Sequence, residues 1–101
     1  MLKHINNRDE FKESIKEGTV LVDFFATWCG PCKMLSPVLE EVSKESNIDI
    51  IKVDVDEFGD LARRYGIMNI PTLLLYRDGD LVNKKLGYLP VSALKEFLHQ
   101  F

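Results

Sequence analysis

The sequence predicts an α/β domain in which a central mixed β-sheet carries helices on both faces, with elements in the order β-α-β-α-β-α-β-β-α. Three observations predict it. Val20-Leu21-Val22-Asp23-Phe24-Phe25 is apolar at every position but one, as in a strand buried on both sides at the centre of a sheet. A helical stretch then leads to a second rich strand at 48–55, and a crossover of that kind joins parallel strands. Asp78-Gly79, set between the apolar runs 72–76 and 81–86, is a hairpin signal that requires an antiparallel pair.

Taken in order, Lys3-His4-Ile5 is a short first strand. Asn7 can cap the next helix, and Glu10 three residues on resembles a capping box. Phe11 and Ile15 then share a face, and Gly18 is the expected stop. After Thr27 and Trp28 comes the cysteine pair, followed by a helical pattern to about Ser46. Leu35, Val38, Leu39 and Val42 form its buried face, Met34 is counted with the core, and Pro37 should kink it. In 48–55, Ile51, Val53 and Val55 face one way and Lys52 and Asp54 the other, so Lys52 alone reads as a solvated strand residue. Residues 58–65 form a short helix ended by Gly66. Pro71, ahead of Leu73-Leu74-Leu75, marks a strand start, because proline is disfavoured within a central strand. Pro90 opens a last amphipathic helix on which Leu94, Phe97, Leu98 and Phe101 line up.

The chain of 101 residues is expected to be one domain, 1–101, without repeats, low-complexity tracts or linkers. Its 46% apolar and 29% charged residues place it with globular rather than disordered chains. A net charge of −3 with no basic stripe argues against a dedicated nucleic-acid binder. Residues 1–10 lack the apolar segment of a secretory signal, and no apolar run is long enough to cross a bilayer. A soluble cytoplasmic protein, monomeric by default, is the expectation.

The only two cysteines stand as Cys29-Gly30-Pro31-Cys32. A small secreted scaffold would scatter several pairs, and a bridge across two residues closes almost no loop and stabilises little. Chemistry explains the pair better than architecture. The thiolate is the reactive form of cysteine. Cys29 falls where a strand gives way to a helix, a junction that should expose it and aim unpaired backbone N–H groups and the positive dipole end at its sulfur. In a partly buried geometry a helix N-terminus supplies up to about 2 kcal/mol, or roughly one and a half pKa units of thiolate preference. Two Cα atoms three residues apart on a helix are about 5 Å from each other, within the range of about 4.4–6.8 Å that a disulfide spans. Pro31 removes only an N–H that the first turn leaves unpaired anyway. A zinc site needs about four ligands, and the remaining soft candidates, His4 and His99, lie near opposite ends of the chain.

Trp28-Cys29-Gly30-Pro31-Cys32-Lys33, preceded by Val22-Asp23-Phe24 and followed by Ile70-Pro71-Thr72, resembles the thioredoxin family in order and spacing over nearly the whole chain. The resemblance implies a thioredoxin fold, with a cis peptide at Ile70-Pro71 facing the cysteines. It implies disulfide reduction in partner proteins, with Cys29 as nucleophile, Cys32 as resolving thiol and no cofactor, since the thiols carry the electrons. The implied partners are a thioredoxin reductase and disulfide-containing proteins such as ribonucleotide reductase, methionine sulfoxide reductase and peroxiredoxin.

Asp23 is an acid inside an apolar strand, and burying a carboxylate is expensive unless it is paired or protonated. It reads either as the proton acceptor for Cys32, through a water, or as a structural acid satisfied by hydrogen bonds. The family carries the same acid there, and Lys52 matches the lysine that approaches and modulates it. Trp28, Gly30, Pro31, Ile70 and Pro71, with Gly87 and Tyr88 of a third loop, match the surface that receives substrate. Taken alone, Trp28 reads equally as a core residue, Gly87 as a strand-end glycine, and the Ile70-Pro71 bond as trans.

Gly-Pro between the cysteines goes with reductants in this family, whereas histidine there goes with isomerases and oxidants, and glutaredoxins usually carry Pro-Tyr. Phe25 stands where many thioredoxins have tryptophan, Tyr88 is bulkier than the small residue common there, and Pro90 replaces a usual capping residue. The rival reading is a docking module without turnover, but such domains often lose a cysteine, and this chain keeps both along with Asp23 and Pro71.

Overall fold

The elements occur in the predicted order. The computed structural model describes residues 1–99 as β1 (Leu2–His4), α1 (Arg8–Ser14), β2 (Thr19–Phe25), α2 (Gly30–Glu45), β3 (Asp49–Asp54), α3 (Gly59–Arg64), β4 (Thr72–Arg77), β5 (Asp80–Leu86) and α4 (Val91–His99). The sheet order is β1-β3-β2-β4-β5, which puts β2 at the centre. β3 runs parallel to β1 and β2, while β4 is antiparallel to β2 and β5, so the sheet is mixed as expected.

Side chains alternate across a strand, and β2 shows what that requires of a central one. Val20, Val22 and Phe24 turn to one face, where Ile51, Val53 and Leu74 join them beneath Phe11 of α1 and Leu61 of α3. Leu21 turns to the other with Ile50, Leu73 and Leu75, beneath Leu35, Leu39 and Val42 of α2 and Leu94, Phe97 and Leu98 of α4. Helices on both sides make both faces apolar. By its period Asp23 belongs to the α2 face.

Several local expectations are adjusted. Asn7 caps α1 by accepting from the Glu10 N–H at 2.9 Å, but the Glu10 carboxylate accepts from Asn6 N–H at 3.2 Å, one residue before the cap. α1 ends at Ser14, short of Gly18. Gly18 (φ +74°) instead turns the chain into β2, its N–H donating to Asp78 Oδ1 at 2.8 Å and its carbonyl accepting from Asp78 N–H at 2.9 Å. That contact braces the β4–β5 hairpin, where Asp78 and Gly79 both hold positive φ, as a tight turn demands. Pro37 lies within α2. Met34 does not join the core: it stands one step off the Leu35-Val38-Leu39-Val42 stripe and is exposed. Leu94, Phe97 and Leu98 are buried on α4 as expected, while Phe101 lies outside the described residues. Among the described residues no helix is long and apolar enough to cross a membrane.

Candidate active site

β2 and α2 meet at the cysteines. Cys29 is the N-cap of α2, with extended backbone, and its Sγ accepts the Cys32 N–H at 3.2 Å. Gly30 and Pro31 open the helix, and no acidic side chain in its first turn offsets the positive end of the dipole. Cys29 and Cys32 are joined as a disulfide with Cα atoms 5.2 Å apart, the separation the helical spacing predicts.

One expectation fails here. The junction does not lay Cys29 open: it is 5% exposed and Cys32 3%, packed among Phe25, Ala26 and Ile70. The loop before β4 covers it, bringing the Ile70 carbonyl oxygen to 3.9 Å from Cys29 Sγ. The Ile70-Pro71 peptide is cis, as the family resemblance implies. The Pro71 carbonyl accepts the N–H of Gly87 at 2.8 Å, and Gly87 holds φ +88°, a conformation open chiefly to glycine. The segments carrying Trp28–Cys32, Ile70–Pro71 and Gly87–Tyr88 are thereby linked. Around the covered sulfur the surface is accessible: Trp28 is 68% exposed, Gly30, Pro31 and Tyr88 are exposed, and the Trp28 indole N–H donates to Asp56 Oδ2 at 2.8 Å.

Asp23 and Lys52 lie in register on β2 and β3. Asp23 is fully buried and Lys52 6% exposed, so Lys52 is not the solvated residue its strand pattern suggests. β1 on one side and α2 above enclose it. Its ammonium is 3.8 Å from Asp23 Oδ2, donates to Ser36 Oγ at 3.2 Å, and sits 4.7 Å above the centre of the Phe25 ring. Neither Asp23 oxygen has a hydrogen-bond partner among the described residues. Burial pushes the Asp23 carboxyl up to about 7, and the nearby Lys52 charge opposes this only in part. A cavity of about 210 Å³, lined by Phe25, Thr27, Cys32, Ser36 and Lys52 among others, runs beside the inner cysteine and has room for water. Cys32 and Lys52, the lysine beside Asp23, both line this cavity.

Two residues in these contacts escape sequence reasoning. Ser36 carries a weak signal, since it stands four residues after Cys32 and so on the same side of α2. Asp56 carries none, because only the fold brings the chain after β3 beneath Trp28. Among the described residues no group of three His, Cys, Asp or Glu side chains is arranged to hold a metal ion.

The thioredoxin family model matches residues 3–100. A thioredoxin of Bacillus subtilis (strain 168) is 48% identical over 92 residues, covering 89% of this chain and 88% of the relative. One of Listeria monocytogenes is 44% identical over 103 residues, covering 100% of this chain and 99% of the relative. Among solved structures, a mutant thioredoxin from Halobacterium salinarum superposes with a TM-score of 0.93 at 36% identity, covering 99% of this chain and 89% of that one.

Proposed function

The chain belongs to the thioredoxin family and is a dithiol–disulfide oxidoreductase, and we propose that it works as a reductant through an ordered exchange begun by Cys29. The observation that carries this order is the position of Cys29 Sγ at the N-cap of α2, facing the Cys32 N–H. That N–H and the helix dipole favour negative charge on Cys29, and Cys32, one turn into the helix, lacks the same position.

The Cys29 thiolate attacks one sulfur of a partner's disulfide, and the other partner sulfur leaves as a thiolate that takes up a proton. Cys32 then gives its proton towards the Asp23 carboxylate, through water, and attacks Cys29 Sγ. The mixed disulfide breaks, the second partner sulfur leaves as a thiolate, and the Cys29–Cys32 disulfide remains. Two electrons have passed to the partner. An Asp23 carboxyl titrating at about 7 suits this step, because near neutral pH it is charged often enough to accept and basic enough to hold the proton. Lys52 modulates that affinity.

The family as a whole implies disulfide-containing substrates and a reductase. For this chain we infer a thioredoxin reductase as the electron donor, with ribonucleotide reductase, methionine sulfoxide reductase and peroxiredoxin as candidate substrates. We also infer a single working domain, a monomeric state and a cytoplasmic location. Trp28, Gly30, Pro31, Ile70, Pro71, Gly87 and Tyr88 form the docking surface in this reading. Gly30 fits it, since a Cβ there would meet nothing within 4 Å and the position is not needed for internal packing.

Cys32→Ser tests the order of attack. It should accumulate a mixed disulfide with a protein substrate, visible by mass, whereas Cys29→Ser should form none and lose turnover. Turnover by Cys29→Ser at the unmodified rate would refute the order. The direction is read separately from the reduction potential: known values on this fold run from about −270 mV for thioredoxin to about −120 mV for a strong oxidant, and the lower end is expected.

A further inference from the structure

Lys52 is a buried cation with two polar neighbours that compete for it. Its ammonium makes its hydrogen bond to Ser36 Oγ, at 3.2 Å, and stays 3.8 Å from Asp23 Oδ2, beyond hydrogen-bond reach. Ser36 lies on α2, one turn past Cys32, and Asp23 lies below on β2, so the two pull the ammonium from different elements. Both Asp23 oxygens are left without a hydrogen bond among the described residues. We propose that Ser36 is a positioning residue: by holding Lys52 away from the buried carboxyl, its hydroxyl sets how strongly Asp23 retains its proton.

Coulomb energy varies inversely with distance. Without the hydroxyl, Asp23 Oδ2 at 3.8 Å is an acceptor to which the ammonium can turn, and a buried ammonium is costly to leave unpaired. The lysine then closes on the carboxylate, the charged form gains, and the proton affinity of Asp23 falls. The other residues around the pair are placed so as not to replace the hydroxyl. Leu73, the Asp23 neighbour on β4, is apolar. Lys33 is exposed at the rim of the cavity. His4, the Lys52 neighbour on β1, packs edge-on to Phe25. Asp54, two residues along β3, accepts the backbone N–H groups of Asp56 and Glu57.

The inference rests on Asp23 being the proton acceptor for Cys32 only where it touches the reaction rate, so the test reads the two separately. The Asp23 carboxyl is titrated by carbon NMR in the oxidised protein, in the unmodified chain and in Ser36→Ala, Ser36→Thr, Lys52→Gln and Lys52→Gln/Ser36→Ala. Closing the gap to hydrogen-bond distance should lower the Asp23 midpoint in Ser36→Ala by up to about one unit, roughly a tenfold loss of proton affinity. Ser36→Thr, which keeps the hydroxyl, should restore it. In the Lys52→Gln background Ser36→Ala should shift nothing, because the hydroxyl acts through the lysine. An unchanged midpoint in Ser36→Ala, or an equal shift with and without Lys52, overturns the proposal. The pH profile of mixed-disulfide resolution should move with the midpoint; a midpoint that moves while the profile stays leaves the positioning role intact and removes Asp23 as the acceptor.

Discussion

Asp23 and Lys52 are in-register partners at the centre of the sheet, yet the ammonium bonds to a serine and the carboxyl to nothing among the described residues. The acid is thus held in an environment that penalises its charge.

That relationship makes stability depend on pH with a definite sign. The folded Asp23 titrates at about 7 against 3.8 for its ordinary value, so the folded state binds this proton more tightly than the unfolded one. Below pH 3.8 the group carries no penalty; as pH rises through the interval to about 7 the penalty grows, reaching on the order of 4 kcal/mol above it. Asp23→Asn should therefore stabilise the oxidised protein by a few kcal/mol at pH 8 and far less at pH 4. Urea denaturation at the two pH values checks this, and an equal gain at both would contradict it.

The hydrogen bond from Trp28 to Asp56 orients a largely exposed indole beside the disulfide. Such a bond is worth about 1 kcal/mol. Asp56→Ala should raise KM for a protein disulfide roughly three- to tenfold. If the indole face receives protein substrates, as proposed, reduction of a small synthetic disulfide should change little.

Phe11 is fully buried on the sheet face opposite Asp23, with its ring 4.9 Å from that of Tyr65 and 6.1 Å from that of Phe24. Truncation leaves a cavity between α1 and the sheet. Phe11→Ala should lower the stability by about 3–5 kcal/mol in chemical denaturation.

Much of this was legible in the sequence because the signals were local or periodic. The two-sided burial of β2 shows in its unbroken apolar run, the hairpin in Asp78-Gly79, and the α2 face in the spacing of Leu35, Val38, Leu39 and Val42. The cysteine spacing foretold the Cα separation of the bridge. What was hidden depends on contacts distant in the chain. Lys52 reads as solvated because strand alternation does not reveal that α2 lies over its face, and Ser36 is one more polar helix residue until Lys52 is placed against it. The covering of Cys29 comes from a loop 41 residues on. Met34 reads as core by its apolar side chain alone, but it stands at the edge of the α2 stripe and is exposed.

The proposed exchange turns on negative charge that α2 stabilises at its first sulfur. In the reduced protein, the pH dependence of Cys29 alkylation, read in Cys32→Ser to isolate one thiol, should show a midpoint at least about one unit below the value near 8.5 of a free cysteine. A midpoint at or above that of free cysteine would contradict it.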